Sequence, residues 1–253
     1  MEERFMDDRV KKLEDRLIEE LQEVERLVVL TGAGMSTESG LPDFRSPDGL
    51  WSRYRPEELA SVDALLERPL LFYEFYRTRL EMLDRVKPNA GHRALAELEK
   101  QGRLQWIVTQ NVDGLHTAAG SRNVAELHGS LREARCHDCG RPHPVEVLKK
   151  PVNDIASLPR CRCGGLIRPA IVLFGELLPE KALYQAKTAL ENCEALLVIG
   201  TSLQVYPAAS LPQIALEQGA RLWILNLTPT PYDGVAEIVV RSKAAEVLAR
   251  LFE

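Results

Sequence analysis

A run of four apolar residues that stops at a pair of glycines, within LVVLTGAGMSTESGLPDFR from Leu27 to Arg45, constrains this chain more than any other stretch. Leu27 to Leu30 has no polar position, so neither face of such a strand can meet water. A strand buried on both faces belongs in a parallel sheet covered by helices. Gly32 and Gly34 end it in a turn. Lacking Cβ atoms, they let the backbone bend sharply and bring its N–H groups against a bulky anionic group such as a pyrophosphate. A simple dehydrogenase fingerprint would place a third glycine where Thr37 stands, run straight into a helix, and carry an acidic residue roughly 20 positions on. Here Gly40, Pro42 and Gly49 follow in a polar loop without helix or strand pattern until about Pro56, long enough to cover a ligand.

The same reading extends along the chain. Val10, Leu13, Leu17, Leu21 and Val24 recur at helical spacing, predicting an amphipathic helix over the first 25 or so residues. Short helices are predicted at Pro56 to Leu59 and Val62 to Leu66, and longer ones at Pro69 to Val86 and Pro88 to Lys100, with a last helix from about Lys243. Buried strands are predicted at Leu104 to Thr109, Ala195 to Ile199, Leu222 to Leu225 and Ile238 to Val240. A length of 253 residues suits one large α/β domain with a small module attached. A net charge of −5 disfavours direct nucleic-acid binding and suits basic, lysine-bearing protein segments as partners. The apolar runs are too short to span a bilayer and the N-terminus is charged, so a soluble, cytoplasmic chain with no membrane partner is expected. A monomer is expected, although no pattern fixes the oligomeric state.

Five cysteines are an odd number with two close pairs, which points to metal more than to disulfides. Cys136-x-x-Cys139 and Cys161-x-Cys163 supply four thiolates across an intervening run of 21 residues. One zinc ion held by four sulfurs has no open position for water, so such a site staples structure and activates no nucleophile. His137 or His143 is an alternative ligand, and unliganded cysteines are the plain alternative. From Cys136 to Cys163 the composition turns to Cys, Pro, His and Arg, which reads as a small inserted module instead of sheet. Cys193 reads as a core residue on an amphipathic helix. Strand Leu104 to Thr109 delivers Gln110, Asn111 and Asp113 just beyond its carboxyl end, where open α/β sheets bind ligands. Turn residues capping a short helix would look the same.

GAGMSTESGLPDFR resembles the NAD-binding signature of the sirtuins, the NAD-dependent protein lysine deacylases. Four further stretches agree with that family in the same order: TQNVDGLH from Thr109 to His116, LHG from Leu127 to Gly129, FGE from Phe174 to Glu176, and GTS from Gly200 to Ser202, continued by Tyr206, Pro207 and Ala208. The match spans nearly the whole chain, with the cysteine cluster between the third and fourth stretches. The resemblance implies an α/β fold: a Rossmann-like parallel sheet with helices on both faces, plus a small inserted zinc-binding module and a helical insertion. Within one catalytic domain it assigns 1–53, 88–130 and 168–253 to the NAD-binding part, 54–87 to the helical insertion and 131–167 to the zinc module. The family usually has two residues inside the second cysteine pair; here there is only Arg162, which tightens the metal geometry.

The resemblance also implies roles. Gly32, Ala33, Gly34, Thr37 and Arg45 hold the pyrophosphate side of NAD, and Phe44 shields the ribose carbon. Gln110 and Asn111 meet the ribose, Val112 and Asp113 the nicotinamide carboxamide. Gly200, Thr201 and Ser202 contact the cofactor, Asn226 the adenosine ribose, and Leu227 and Ala244 line the adenine pocket. His128 takes the position of the general base, with the near-neutral pKa that proton abstraction from a ribose hydroxyl needs, and Ser36 and Asn111 orient ribose and water. His116 reads as a structural histidine holding the loop. Val172, Leu173, Phe174 and Gly175, in the strand-like run Ile171 to Glu176, pair with the main chain of an acyl-lysine peptide. Tyr76 and Arg79, at i and i+3, match the Y-x-x-R of sirtuins that accept succinyl and malonyl lysine, and Ala60 matches their small pocket residue. The implied enzyme consumes NAD as co-substrate. It removes acetyl and succinyl or malonyl groups from protein lysines, giving nicotinamide, O-acyl-ADP-ribose and free lysine. The alternatives are an acetyl-only deacetylase, a mono-ADP-ribosyltransferase of the same family, an NAD-dependent dehydrogenase and a zinc-ribbon binding module.

Overall fold

A computed structural model describes residues 2–44, 49 and 55–252; Arg45 lies outside the described residues. Helix α1 (Glu2–Glu23) precedes strand β1 (Leu27–Thr31), and after the glycine loop come α2 (Pro56–Leu59), α3 (Val62–Glu67) and α4 (Pro69–Leu83). Ser61 caps α3, its Oγ accepting the Ala64 N–H at 3.0 Å. Next are α5 (Ala90–Lys100), β2 (Leu104–Thr109), α6 (Leu115–Ala119) and β3 (Val124–Glu126). A second group follows, β4 (Gly129–Cys136), β5 (Pro142–His143) and β6 (Ile167–Ile171). The chain closes with α7 (Glu180–Glu191), β7 (Ala195–Ile199), α8 (Leu211–Glu217), β8 (Arg221–Leu225), β9 (Ile238–Val240) and α9 (Ala244–Ala249).

Six strands form one parallel sheet in the order β3-β2-β1-β7-β8-β9. Strand β1 pairs with β2 on one side and β7 on the other, so the chain reverses its direction of travel across the sheet between them. At such a switch point the loops leaving the carboxyl ends diverge and open a crevice. Side-chain alternation along β1 builds both cores. Leu27 and Val29 pack with Leu17, Leu21, Leu95 and Leu248 from α1, α5 and α9; Val28 and Leu30 pack with Ala186, Leu190, Leu211 and Ala215 from α7 and α8. Each fully buried Leu or Val contributes about 1.5–3 kcal/mol over its exposed state, which is why a sheet of five-residue strands needs both covering layers. No helix among the described residues is long and apolar enough to cross a membrane.

Several expectations differ in detail, and α4 ends at Leu83, three residues short of the expected Val86. The cysteine module does contain sheet: β5-β4-β6 is antiparallel, with Cys136 at the end of β4 opposite Ile167. Within Ile171 to Glu176 the ladder ends at Ile171; beyond it Val172 N–H donates to the His128 carbonyl and Phe174 N–H to the Ala60 carbonyl, both at 2.8 Å. The run is therefore a bridge between the module and the helical insertion. Helix α5 starts at Ala90 and not at Pro88, because Asn89 is held extended as its cap, its side chain accepting the His92 N–H. Cys193 is buried, but beyond the end of α7, in the turn before β7.

A third core joins the helical insertion to that small sheet. Phe72, Tyr73, Tyr76 and Leu80 of α4 pack with Leu131, Ala134, Cys136, Ile167 and Ile171. The Tyr73 hydroxyl donates to the Ile167 carbonyl at 2.7 Å, so its buried oxygen is satisfied.

Candidate active site

A cavity of about 500 Å³ lies at the carboxyl ends of β1, β2, β7 and β8, roofed by the helical insertion and the bridge Val172–Gly175. Almost every sequence-predicted site residue lines it: Gly32, Ala33, Gly34, Thr37, Phe44, Tyr76, Arg79, Gln110, Asn111, Val112, His128, Val172, Leu173, Phe174, Gly175, Gly200, Thr201, Ser202, Asn226, Leu227 and Ala244. Ser36 and Asp113 instead border a small adjoining cavity with Leu41, Pro42 and Leu83. Each oxygen of Asp113 accepts one bond there, from Ser36 Oγ to Oδ2 at 2.7 Å and from Leu115 N–H to Oδ1 at 2.8 Å, which leaves further lone pairs on both. The Asn111 amide donates to the Gly32 carbonyl and to Ser36 Oγ at 3.0 and 3.2 Å, joining the β1 and β2 loops.

The glycines are needed for a reason beyond ligand approach. A Cβ on Gly34 would lie 2.7 Å from the Gly200 Cα, and one on Gly200, at φ +61°, would lie 2.4 Å from the Met35 nitrogen. The loops after β1 and β7 therefore interlock backbone to backbone, joined by Gly34 N–H to the Gly200 carbonyl at 2.9 Å. Gln110 Nε2 donates to Thr201 Oγ1 at 3.0 Å, adding the β2 loop. Among the described residues the N–H groups of Ala33, Thr201 and Ser202 meet no protein acceptor, which leaves three donors for an anion. At the far end the Asn226 amide is held by the Thr228 carbonyl at 2.7 Å, Ala244 is buried, and Leu227 stands exposed at the rim. Glu38, Ser242 and Lys243 also line this cavity and were not read from the sequence. Ser242 and Lys243 follow β9 with only Arg241 between, so the carboxyl-end rule applied to every strand would have found them.

His128 Nδ1 sits 2.9 Å from the Gln110 carbonyl oxygen. A carbonyl only accepts, so Nδ1 carries the proton and Nε2 keeps its lone pair. Burial lowers the pKa of His128, opposed by the bond to Gln110, and the neutral ring is the form that takes a proton. Tyr76 and Arg79 project from α4 toward the same cavity. Tyr76 is buried against Phe72 and Phe75, and burial raises its pKa. The Arg79 guanidinium stands 5.1 Å from the Phe44 ring centroid and 5.7 Å from that of Phe75, and no carboxylate pairs with it among the described residues. Burial lowers its pKa. The nearby Asp113 carboxylate opposes that shift.

The four module cysteines bring their sulfurs within 4.8 Å of one another, with Cys136–Cys163 and Cys139–Cys163 at 3.5 Å and Cys139–Cys161 at 3.8 Å. A tetrahedral zinc with bonds of about 2.3 Å requires sulfur separations of roughly 3.8 Å. The short pair therefore fits, and the four cysteines are positioned to bind one zinc ion, without His137 or His143 in the set. Gly164, at φ +95°, turns the chain immediately after Cys163, and a Cβ on Gly165 would lie 2.8 Å from Cys136 Sγ.

Beneath the site, His92 and His116 are buried with ring centroids 4.8 Å apart, and His116 Nε2 lies 3.0 Å from Thr31 Oγ1. Burial pushes His116 well below its ordinary pKa and His92 down to about 4. Both groups bind protons more readily in the unfolded chain. Their contribution to stability is complete above about pH 6.5 and is lost as pH falls toward 4, at up to about 1.4 kcal/mol per pH unit for each. Denaturant midpoints measured from pH 7 to pH 5 are expected to fall, and the slope to flatten in His116→Asn.

Residues 32–207 match the Sir2 family. The chain is 52% identical over 228 residues to an NAD-dependent protein deacetylase of Geobacillus kaustophilus, covering 89% of this chain and 92% of that one. Among solved structures it resembles a Sir2 homologue, a serine-to-alanine mutant bound to ADP-ribose, with TM-score 0.87, 44% identity and coverage of 93% and 94%. It also resembles a Sir2 enzyme with a p53 peptide and NAD, with TM-score 0.83, 38% identity and coverage of 94% and 96%.

Proposed function

The chain belongs to the Sir2 family, and from that premise we propose that it removes acyl groups from protein lysines at the expense of NAD. The products are nicotinamide, O-acyl-ADP-ribose and free lysine. The observation that carries the reading is His128, with its proton fixed on Nδ1 by the Gln110 carbonyl and Nε2 free of protein partners among the described residues. The relative named as a deacetylase and the Sir2 complex with a peptide and NAD support it.

Bound NAD supplies an electrophilic ribose carbon with nicotinamide as leaving group. The chain's own residues do the rest. The free N–H groups of Ala33, Thr201 and Ser202 receive the pyrophosphate, together with Arg45. Gln110 and Asn226 meet the two riboses, Leu227 and Ala244 the adenine, and Val112 and Asp113 the carboxamide. Phe44 keeps water from the ribose carbon. Val172 to Gly175 hold the peptide by its backbone, so sequence context is weakly read. His128 Nε2 then takes a proton from a ribose hydroxyl, with Asn111 and Ser36 orienting ribose and water. The helical insertion forms the roof over the acyl chain, and residues 131–167 brace it through the shared core.

The same reading assigns acyl choice to Arg79 and Tyr76, which pair with the terminal carboxylate of a succinyl or malonyl chain; Ala60 leaves room for it. The test gives the purified protein NAD with acetyl-lysine and succinyl-lysine peptides in parallel and follows O-acyl-ADP-ribose by mass spectrometry. Succinyl turnover is expected to exceed acetyl. It should fall about 10- to 100-fold in Arg79→Met, as a charge-assisted hydrogen bond of roughly 1.5–3 kcal/mol is removed, and to a smaller extent in Tyr76→Phe. Turnover of acetyl alone would make the pair structural and the enzyme a plain deacetylase. Nicotinamide release with transfer of label onto protein would identify an ADP-ribosyltransferase instead.

A further inference from the structure

Arg168 is a buried arginine that the reaction above does not use. It sits on β6, where its side chain is 3% exposed. Its Nη1 donates to the Ile171 carbonyl at 2.8 Å and its Nη2 pairs with Glu176 Oε1. Glu176 lines the cavity and uses its second oxygen, Oε2, to accept the Leu173 N–H at 2.9 Å. Its own N–H donates to the Leu173 carbonyl at 3.0 Å. Arg135, opposite Arg168 in the β4–β6 ladder, approaches Glu176 Oε2 at 3.8 Å.

These bonds all converge on the bridge Ile171–Glu176. With Val172 N–H on the His128 carbonyl and Phe174 N–H on the Ala60 carbonyl, most of its polar backbone is committed to the protein. Among the described residues the Gly175 N–H meets no protein acceptor and the Val172 and Gly175 carbonyls meet no protein donor, which leaves both kinds of backbone group open on a segment that lines the cavity. An extended peptide laid along this segment finds those groups only if the turn at Leu173 to Glu176 keeps its shape. That turn has no regular ladder to hold it, because β6 ends at Ile171. The side chains of Arg168 and Glu176 replace the missing ladder.

We propose that Arg168 and Glu176 are positioning residues for the acylated substrate: the ion pair between the buried Arg168 and the cavity-lining Glu176 sets the backbone of Val172 to Gly175 in the geometry that receives the acyl-lysine peptide. This rests on the deacylase reading. The pair touches neither the NAD donors nor His128, so its removal acts on peptide affinity and leaves NAD in place.

The test uses Glu176→Gln, Arg168→Met and the double variant, with a fluorescent acetyl-lysine peptide titrated by anisotropy and NAD affinity measured separately. Glu176→Gln keeps a side-chain oxygen for the Leu173 N–H and removes the charge. The expected result is a peptide Kd at least threefold higher in Glu176→Gln and at least tenfold higher in Arg168→Met, with NAD affinity within twofold of the unaltered protein. The double variant should be no weaker than Arg168→Met, since both changes remove the same interaction. Unchanged peptide affinity in Glu176→Gln would overturn the proposal, and so would peptide and NAD affinities falling together. Should Arg168→Met not fold, Glu176→Gln decides alone. Failure of the deacylase reading looks different: the unaltered protein would then bind no acyl-lysine peptide at all.

Discussion

His128→Ala lowers O-acyl-ADP-ribose formation by about 10³-fold, within the 10²–10⁴ that a positioned acid–base group supplies. The expectation rests on the ring's fixed tautomer. The Gln110 carbonyl, 2.9 Å from Nδ1, leaves Nε2 as the one basic atom, and burial keeps the ring neutral. Because that burial lowers the pKa, the acid limb of kcat/KM lies below pH 6.5: activity is retained through neutrality and falls only as the ring gains its proton at lower pH. The substitution should spare the step before proton abstraction, so exchange of labelled nicotinamide into NAD in the presence of peptide is expected to survive better than net turnover. More than a tenth of normal turnover in a folded His128→Ala protein would remove the histidine from the mechanism.

Removal of the metal has the second largest expected effect, and it should strike one half of the site. Cys136 and Cys161 are buried in the same core as Phe72, Tyr73 and Tyr76, so the sulfur cluster and the acyl end of the cavity share one packing unit. The glycine loops belong to the parallel sheet and its own two cores. Structural zinc contributes about 10–16 kcal/mol to the folding of isolated zinc-finger peptides. A fraction of that lost here lowers the melting temperature by on the order of 10 °C. Chelation, or Cys139→Ala, is expected to abolish acyl-peptide turnover while NAD affinity changes by only a few fold. Isothermal titration with NAD, alongside metal content by mass spectrometry, separates the two. Equal loss of NAD binding would show that the module and sheet do not fail independently.

The parts of this molecule legible in its sequence are those in which one physical requirement dominates. Strands β1 and β7 are buried throughout, and β2, β8 and β9 over most of their length, so they appear as largely apolar runs. Strand β4, GSLREARC, mixes one leucine with small, charged and sulfur-bearing residues without alternation, and β6, IRPAI, carries a buried arginine; neither has a period to read. The bridge after Ile171 looks like a strand because it is apolar. It is apolar because it packs into the third core and lines the cavity, and apolarity does not say where hydrogen bonds go. In the site, motif order brought together residues that spacing alone could not. Arg168 and Glu176 stayed invisible as a pair because their contact exists only after the chain has turned at Leu173.

The interlock of Gly34 with Gly200 has a consequence for heredity. Each position is closed to any side chain by the other's backbone, so a substitution at one cannot be rescued by a substitution at the other. Every single-base change that replaces either glycine is a dead end, and so is every pair of them. Drift in how such a protein grips its dinucleotide has to run through the rim, at exposed positions such as Leu227 and Lys243, where side chains can be exchanged one at a time without the two loops ever parting.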